Sequence, residues 1–286
     1  MKIFMAKDAG YCFGVRDAVN LAYDTAEKNG DVYMLGHIVH NENVVKDLDT
    51  AGAKVINSLE DIPNKNPILF RAHGTTVETW NDAKAKHINI VDATCPLVLE
   101  IHAEVKKLEA EGRTIIIIGD HGHDEVVGIA SQVKDAIIVS SPDEAKSLRK
   151  MKQAGVVSQS TQTIENVQEI INIIMTKVFD LRFVNTICYP TKRNQSQIKE
   201  LAKQCDVMIV IGSYTSANSK RLTALAKERN AHSFQVTCAN EISPKWLKSA
   251  EIVGVSAGAS TPDNIIDEVL TKIKEIGQVP EETIYG

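Results

Sequence analysis

Ile115-Ile116-Ile117-Ile118 runs straight into Gly119-Asp120-His121-Gly122-His123-Asp124-Glu125. Four consecutive β-branched apolar residues leave no polar face, which predicts a strand buried on both sides, as in a parallel sheet covered by helices. The glycine-rich polar stretch that follows predicts the loop at that strand's carboxyl end. Val207-Met208-Ile209-Val210-Ile211 followed by Gly212-Ser213-Tyr214-Thr215-Ser216-Ala217-Asn218 repeats the pattern. Just upstream of the first run, Leu97, Ile101, Val105 and Leu108 recur at helical spacing and predict an amphipathic helix ending at Gly112. Strand and helix in alternation make this an α/β protein.

A longer period emerges when the chain is cut at Cys12, Cys95 and Cys188, which stand about a third of its length apart. Each cysteine follows an apolar or β-branched segment, Lys2 to Met5, Ile88 to Val91 and Leu181 to Val184, and precedes a helical one. Pro96 and Pro190 suit the first turns of two of those helices, where a missing N–H costs nothing. Each unit then reads helix, strand, loop, helix, short strand, helix, strand, loop, helix and a last strand leading to the next cysteine. This predicts three lobes, 13–95, 96–187 and 188–280, the last completed by the N-terminal strand within 1–12. The residues after Pro280 read as a loose tail.

In parallel α/β sheets, ligands bind beyond the carboxyl ends of the strands, where helix N-termini present N–H groups and a partial positive charge. The loops predicted there carry Gly36-His37-Ile38-Val39-His40-Asn41, Arg71-Ala72-His73-Gly74-Thr75, the run from Gly119 to Glu125, Ser158-Gln159-Ser160-Thr161-Gln162, the run from Gly212 to Asn218, and Ser256-Ala257-Gly258-Ala259-Ser260-Thr261. Three cysteines at equivalent points of three lobes, with six polar loops, predict a shared site.

Composition bounds what that site serves. The 286 residues are 43% hydrophobic and carry a net charge of -5, dispersed without long runs of either sign. That excludes the basic footprint of a nucleic-acid binder, so an anionic ligand must be bound locally. No apolar run approaches the length of a membrane span, and charge enters the N-terminus too early for a signal peptide, which predicts a cytoplasmic protein without membrane contact. Five cysteines in a reducing compartment point to ligands, nucleophiles or core fillers rather than disulfides.

Three thiolates cannot satisfy all four irons of a cubane cluster, and the iron left open is a Lewis acid able to bind a substrate oxygen while electrons pass to it. The threefold spacing favours this reading of Cys12, Cys95 and Cys188 over three small core residues. Cys205 and Cys238 lie off the pattern and read as structural. His40, His73 and His123 sit beside Gly, Asn or Asp rather than in apolar company. With Ser216, Asn218, Ser260 and helix N-termini they would make a diphosphate cradle without an arginine fork. His37 and His121 read as lying behind the site or in solvent; His87, His102 and His232 have no site-like context. Glu125, two residues past His123, is a candidate acid: shielded from water there, a carboxyl can hold a proton near neutrality.

Taken together, Gly10-Tyr11-Cys12-Phe13-Gly14-Val15, Gly36 to Asn41, Ala72-His73-Gly74, Asp92-Ala93-Thr94-Cys95-Pro96, Gly122-His123-Asp124-Glu125, Asn185-Thr186-Ile187-Cys188 and Ser216 to Arg221 closely resemble the 4-hydroxy-3-methylbut-2-enyl diphosphate reductase family. The matches span nearly the whole chain in order. The resemblance implies a trefoil of three pseudo-equivalent α/β lobes, with mostly parallel sheets, around one [4Fe–4S] cluster held by Cys12, Cys95 and Cys188. It implies reductive removal of the allylic hydroxyl from (E)-4-hydroxy-3-methylbut-2-enyl diphosphate, giving isopentenyl and dimethylallyl diphosphates, with ferredoxin or flavodoxin as electron donor. By the same resemblance His40, His73, Ser216, Asn218 and Ser260 grip the diphosphate, His123 lines the pocket and Glu125 donates the proton. Ser160 takes the place of a threonine that orders the hydroxyl end, and Ala217 that of a serine, leaving only its backbone N–H to contribute.

Two other readings stay open at this level. His121, His123 and Asp124 form a run that could ligate the zinc of a hydrolase, although this leaves the repeating cysteines unexplained. A cluster-bearing redox sensor would need a partner or nucleic-acid surface, for which no basic patch is evident.

Overall fold

A computed structural model describes residues 1–63, 66–278 and the backbone of 284–285. The first third of the chain forms β1 (Lys2–Met5), α1 (Phe13–Asn29), β2 (Val32–Leu35), α2 (Glu42–Thr50), β3 (Ala53–Ile56), β4 (Ile68–Phe70), α3 (Val77–Ala85) and β5 (Ile90–Asp92). The middle third forms α4 (Pro96–Ala110), β6 (Thr114–Ile118), α5 (Asp124–Ala130), β7 (Ala136–Val139), α6 (Pro142–Ser147), β8 (Met151–Ser158), α7 (Ile164–Met175) and β9 (Val178–Phe183). The last third forms α8 (Tyr189–Gln204), β10 (Val207–Ile211), α9 (Ala217–Lys227), β11 (Ser233–Val236), α10 (Pro244–Leu247), β12 (Ile252–Ala257), α11 (Asp263–Gly277) and β13 (Ile284–Tyr285).

These strands make three sheets of one design, ordered β3-β2-β4-β5, β7-β6-β8-β9 and β11-β10-β12-β1-β13. Every strand pair in them is parallel. The α/β reading with mostly parallel sheets therefore stands. In the third sheet β1 lies beside β12, with Ile3 opposite Val253 and Met5 opposite Val255.

The chain divides into two compact units. One comprises Met1–Val15, His40–Val44 and Tyr189–Gly286 and holds the third sheet; the other comprises Arg16–Val39 and Val45–Cys188 and holds the first two. In the second unit the tetra-isoleucine run explains itself. Ile116 and Ile118 join one core with Val156, Val167 and Ile170, while Ile115 and Ile117 join another with Ile101, Val105 and Leu108. Alternate side chains of one strand feed two cores because successive Cβ atoms leave opposite faces. β10 does the same in the first unit, sending Val207, Ile209 and Ile211 to one face and Met208 and Val210 to the other.

Three expectations need correction. The strand before Cys95 begins at Ile90, not Ile88, because His87 takes a left-handed conformation (φ 53) and the Ile88 N–H turns back to Ala83 O, closing α3. The strand before Cys188 starts earlier, at Val178, since β8 is long enough to pair with it from Met151 onward. The expected loose tail after Pro280 falls mostly outside the described residues, but Ile284 and Tyr285 pair in parallel with β1, whose outer edge offers unused backbone groups.

α4 carries its buried stripe on Val98, Ile101, His102, Val105 and Leu108. His102, which had no site-like context, is a core residue. Gly74 (φ 83) is pressed against it: a Cβ there would stand 3.0 Å from His102 Cε1. Burial, with help from the nearby Lys106 charge, pushes the His102 imidazole from its usual 6.5 down to about 4. The unfolded chain then protonates His102 near pH 6.5 while the folded chain resists, so stability is lost as pH falls through that interval. Replacing His102 with Gln should flatten the fall in melting temperature between about pH 6.5 and 4 relative to the parent; equal slopes would show that the ring is not held neutral. Gly155→Ala should also lower stability, by about 1–3 kcal/mol in a denaturant titration. The added Cβ would lie 2.8 Å from Leu108 Cβ, with both leucine methyls within 3.1 Å.

Candidate active site

Each of Cys12, Cys95 and Cys188 stands between the fourth strand of a sheet's order and a following helix: β1 and α1, β5 and α4, β9 and α8. Their backbones are fixed in the same way. Cys12 N–H donates to Ala259 O at 3.2 Å, Cys95 N–H to Ala72 O at 3.0 Å and Cys188 N–H to Ser160 O at 3.0 Å. Ala259, Ala72 and Ser160 lie just past β12, β4 and β8, the neighbouring strand in each sheet. Three thiols thus occupy one structural position three times, each at a helix start that favours thiolate over thiol.

All three are partly exposed and outside any disulfide. Among the described residues no group of three His, Cys, Asp or Glu side chains is placed to hold a single metal ion. Soft, equivalent thiolates on separate elements suit a cubane, whose ligands bind different irons, and so the donor set fits the cluster chemistry. Cys205 packs with the buried face of α8 and its thiol is pushed up by burial; Cys238 starts a short 3-10 helix.

In the second unit, Glu125 lies in the first turn of α5 yet is 0% exposed. Its carboxyl is turned inward onto Ser160, whose N–H donates to Oε1 at 2.5 Å and whose hydroxyl donates to Oε2 at 2.7 Å. His123 caps the same helix, its Nδ1 accepting the Glu125 N–H at 3.2 Å. A neutral ring accepting at Nδ1 carries its proton on Nε2, which leaves that N–H as its donor. The His73 ring meets His123 edge to face at 5.7 Å. Beside them Arg71 pairs with Asp124 at 2.5 Å, tying the loop after β4 to the start of α5. Sequence reading missed this pair, for which the only signal was opposite charge in two loops already singled out.

The residues of the zinc reading diverge. His121 is half exposed and its Nε2 meets Glu144 at 2.9 Å, His123 Nδ1 caps a helix and Asp124 pairs with Arg71. Glu144 is held at about 2, chiefly by the Ser140 backbone N–H and then by His121, so it is a firm anion for that imidazole.

In the first unit, Ser216 caps α9, its Oγ accepting the Ser219 N–H at 3.3 Å. Ala217 opens the helix, so its N–H has no intrahelical partner. Asn218 is 5% exposed, yet neither side-chain polar atom finds a hydrogen-bond partner among the described residues. An amide buried and unmatched in this way is costly unless a ligand completes it. The segment from His40 to Val44 joins this unit although its flanks do not. Asn41 secures it: Nδ2 donates to Ser260 O at 2.8 Å, while Oδ1 accepts the Asn43 and Val44 N–H groups and caps α2. Ser260 replies through Oγ to His40 O at 3.2 Å. His40, Ser216, Asn218 and Ser260 are therefore gathered in one unit, and His73, His123, Glu125 and Ser160 in the other.

Residues 3–274 match the family model described as LytB protein. The chain is 41% identical over 276 residues to the 4-hydroxy-3-methylbut-2-enyl diphosphate reductase of Geobacter sulfurreducens, covering 96% of this chain and 98% of that protein. It is 42% identical over 277 residues to the protein of that name from Geobacter metallireducens, with coverage of 96% and 98%. A solved (E)-4-hydroxy-3-methyl-but-2-enyl diphosphate reductase, the terminal enzyme of the non-mevalonate pathway, shares the fold with a TM-score of 0.72 at 34% identity, covering 96% of this chain and all of that one. The Plasmodium falciparum E-1-hydroxy-2-methyl-but-2-enyl-4-diphosphate reductase gives 0.93 at 27% identity over 99% of this chain and 91% of that one. Likeness that runs the length of both partners, in sequence and in fold, carries one conclusion: the chain belongs to the LytB family of 4-hydroxy-3-methylbut-2-enyl diphosphate reductases.

Proposed function

We propose that this chain reduces (E)-4-hydroxy-3-methylbut-2-enyl diphosphate to isopentenyl and dimethylallyl diphosphates, the last step of the non-mevalonate isoprenoid pathway. The allylic hydroxyl leaves as water, and two electrons and two protons are consumed. The observation that carries the reading is Glu125, a fully buried carboxyl engaged through both oxygens by Ser160, in the unit that also holds Cys95 and Cys188.

Cys12, Cys95 and Cys188 would hold one [4Fe–4S] cluster per chain, each standing at a boundary of the three lobes, 13–95, 96–187 and 188–280 with 1–12. Bound there, the cluster supplies electrons and, with three thiolate ligands, one iron able to act as a Lewis acid. His40, His73, Ser216, Asn218 and Ser260 bind the diphosphate. Ser216 accepts a backbone N–H while keeping its own hydroxyl proton to donate, and Ala217 adds its backbone N–H at the positive end of α9. Asn218 completes its hydrogen bonding on the ligand, and His123 donates from Nε2.

Glu125 holds the proton. When Glu125 Oε2 is protonated, its O–H turns toward Ser160 Oγ at 2.7 Å, and Ser160 passes its own hydroxyl proton toward the substrate oxygen. Burial of the pair keeps water from short-circuiting the relay. No helix among the described residues is long and apolar enough to cross a membrane. The chain is read as a cytoplasmic enzyme drawing electrons from ferredoxin or flavodoxin, with neither nucleic acid nor membrane as partner.

Purified without oxygen, the protein should be brown, with iron and acid-labile sulfide in equal amounts, and Cys95→Ser should lose both. Glu125→Gln should lower kcat by roughly 100-fold or more with a reduced dye as donor while leaving the visible spectrum unchanged. Survival of turnover in that variant would refute the proton role, and a colourless parent protein would refute the cluster.

A further inference from the structure

We infer that Glu42 is a positioning residue for the diphosphate cradle, holding the loop after β10 in the shape that presents Ser216 and Asn218. The inference rests on the reading of those two residues as diphosphate ligands.

Glu42 is the first residue of α2 and lies in the segment from His40 to Val44 that belongs to the first unit. A single oxygen, Oε1, accepts from Ser213 Oγ at 2.9 Å and from Thr215 Oγ1 at 2.8 Å. The two hydroxyls are themselves 2.7 Å apart, and Thr215 N–H donates to Ser213 Oγ at 3.0 Å. Two hydroxyl protons thus face three contacts, and the charged acceptor is the stronger claim on both. With those protons committed to Glu42, the turn is closed on its α2 side. Gln235 closes the other side, its Nε2 donating to Gly212 O and Ser213 O, each at 3.0 Å.

The loop so gripped leads directly into Ser216, the cap of α9, and the buried amide of Asn218. A binding group displaced by about 1 Å loses much of its effect, so a hold one residue upstream is felt at the ligand. The charge of Glu42 itself argues against direct contact with a diphosphate, since like charges repel. Its use is therefore to organise hydroxyls, not to touch the substrate. One tripeptide, His40-Asn41-Glu42, then supplies a diphosphate ligand and a hold on each of two neighbouring loops, Asn41 on Ser260 and Glu42 on Ser213 and Thr215.

The test uses the anaerobically purified holoenzyme with a reduced dye as electron donor, together with calorimetric binding of inorganic pyrophosphate. Glu42→Ala should raise KM for the diphosphate substrate by roughly tenfold with kcat within about twofold, and weaken pyrophosphate binding by a similar factor. Glu42→Gln, which keeps an acceptor oxygen at that position, should recover most of both losses. Thr215→Val should reproduce part of the effect, and the double variant Glu42→Ala with Thr215→Val should be no worse than Glu42→Ala alone, because both break one latch. Unchanged KM and pyrophosphate affinity in Glu42→Ala, or effects of the two changes that multiply, would overturn the inference. Should Glu42→Ala fail to fold, Glu42→Gln and Thr215→Val carry the decision, and parent-like KM in Thr215→Val would overturn it. A parent enzyme that neither turns over the substrate nor binds pyrophosphate would instead refute the functional reading, and the role of Glu42 with it.

Discussion

A backbone hydrogen bond made three times, from the N–H of Cys12, Cys95 and Cys188 to a carbonyl just past the adjacent strand, is the constraint on which the site depends. It fixes where a thiol can stand relative to its sheet without using the side chain. The bond is available because the ladder between parallel strands uses the backbone groups along its length and leaves donors and acceptors unused where the strands end. Chemistry gathers there because the strand ends, unlike the helix-covered faces, present unsatisfied backbone groups beside helix N-termini.

Around that constraint the two units solve the same problem with different groups. In one, Ser160 engages both oxygens of the buried Glu125. In the other, Ser213 and Thr215 converge on one oxygen of Glu42. In each case a carboxyl group from a helix start is matched to donors on a strand-end loop. The difference lies in burial. Glu125 is sealed from solvent and so suited to holding a proton, whereas Glu42 and Thr215 are both exposed and suit an anion that organises its neighbours.

The departures that the resemblance implies at positions 160 and 217 fall within this framework. Ser160 keeps the hydroxyl that a threonine would supply, and that hydroxyl is the atom that meets Glu125. Ala217 stands at a helix start where its backbone N–H has no intrahelical partner, a donor that needs no side chain. Asp124 finds Arg71, turning a charged first-turn residue into a tie between two loops.

By itself the sequence determined the order of strands and helices except between β3 and β4, where only a 3-10 turn, Leu59–Asp61, stands in place of the expected helix. It determined too the doubly buried character of β6 and β10 and the three cysteines at helix starts, because hydrophobic period and punctuation are local properties of a chain. It also exposed the loops in which His40, His73, His123 and Glu125 lie. Tertiary structure alone decided that the carboxyl of Glu125 turns onto Ser160, that Arg71 meets Asp124, that Glu42 holds Ser213 and Thr215, and that His102 is core rather than surface. It also decided that residues 40–44 leave their neighbours to join the other unit. Each of these is a contact between groups tens to more than two hundred residues apart, set by packing and by the need to satisfy polar atoms. No local pattern encodes which distant partner will do so.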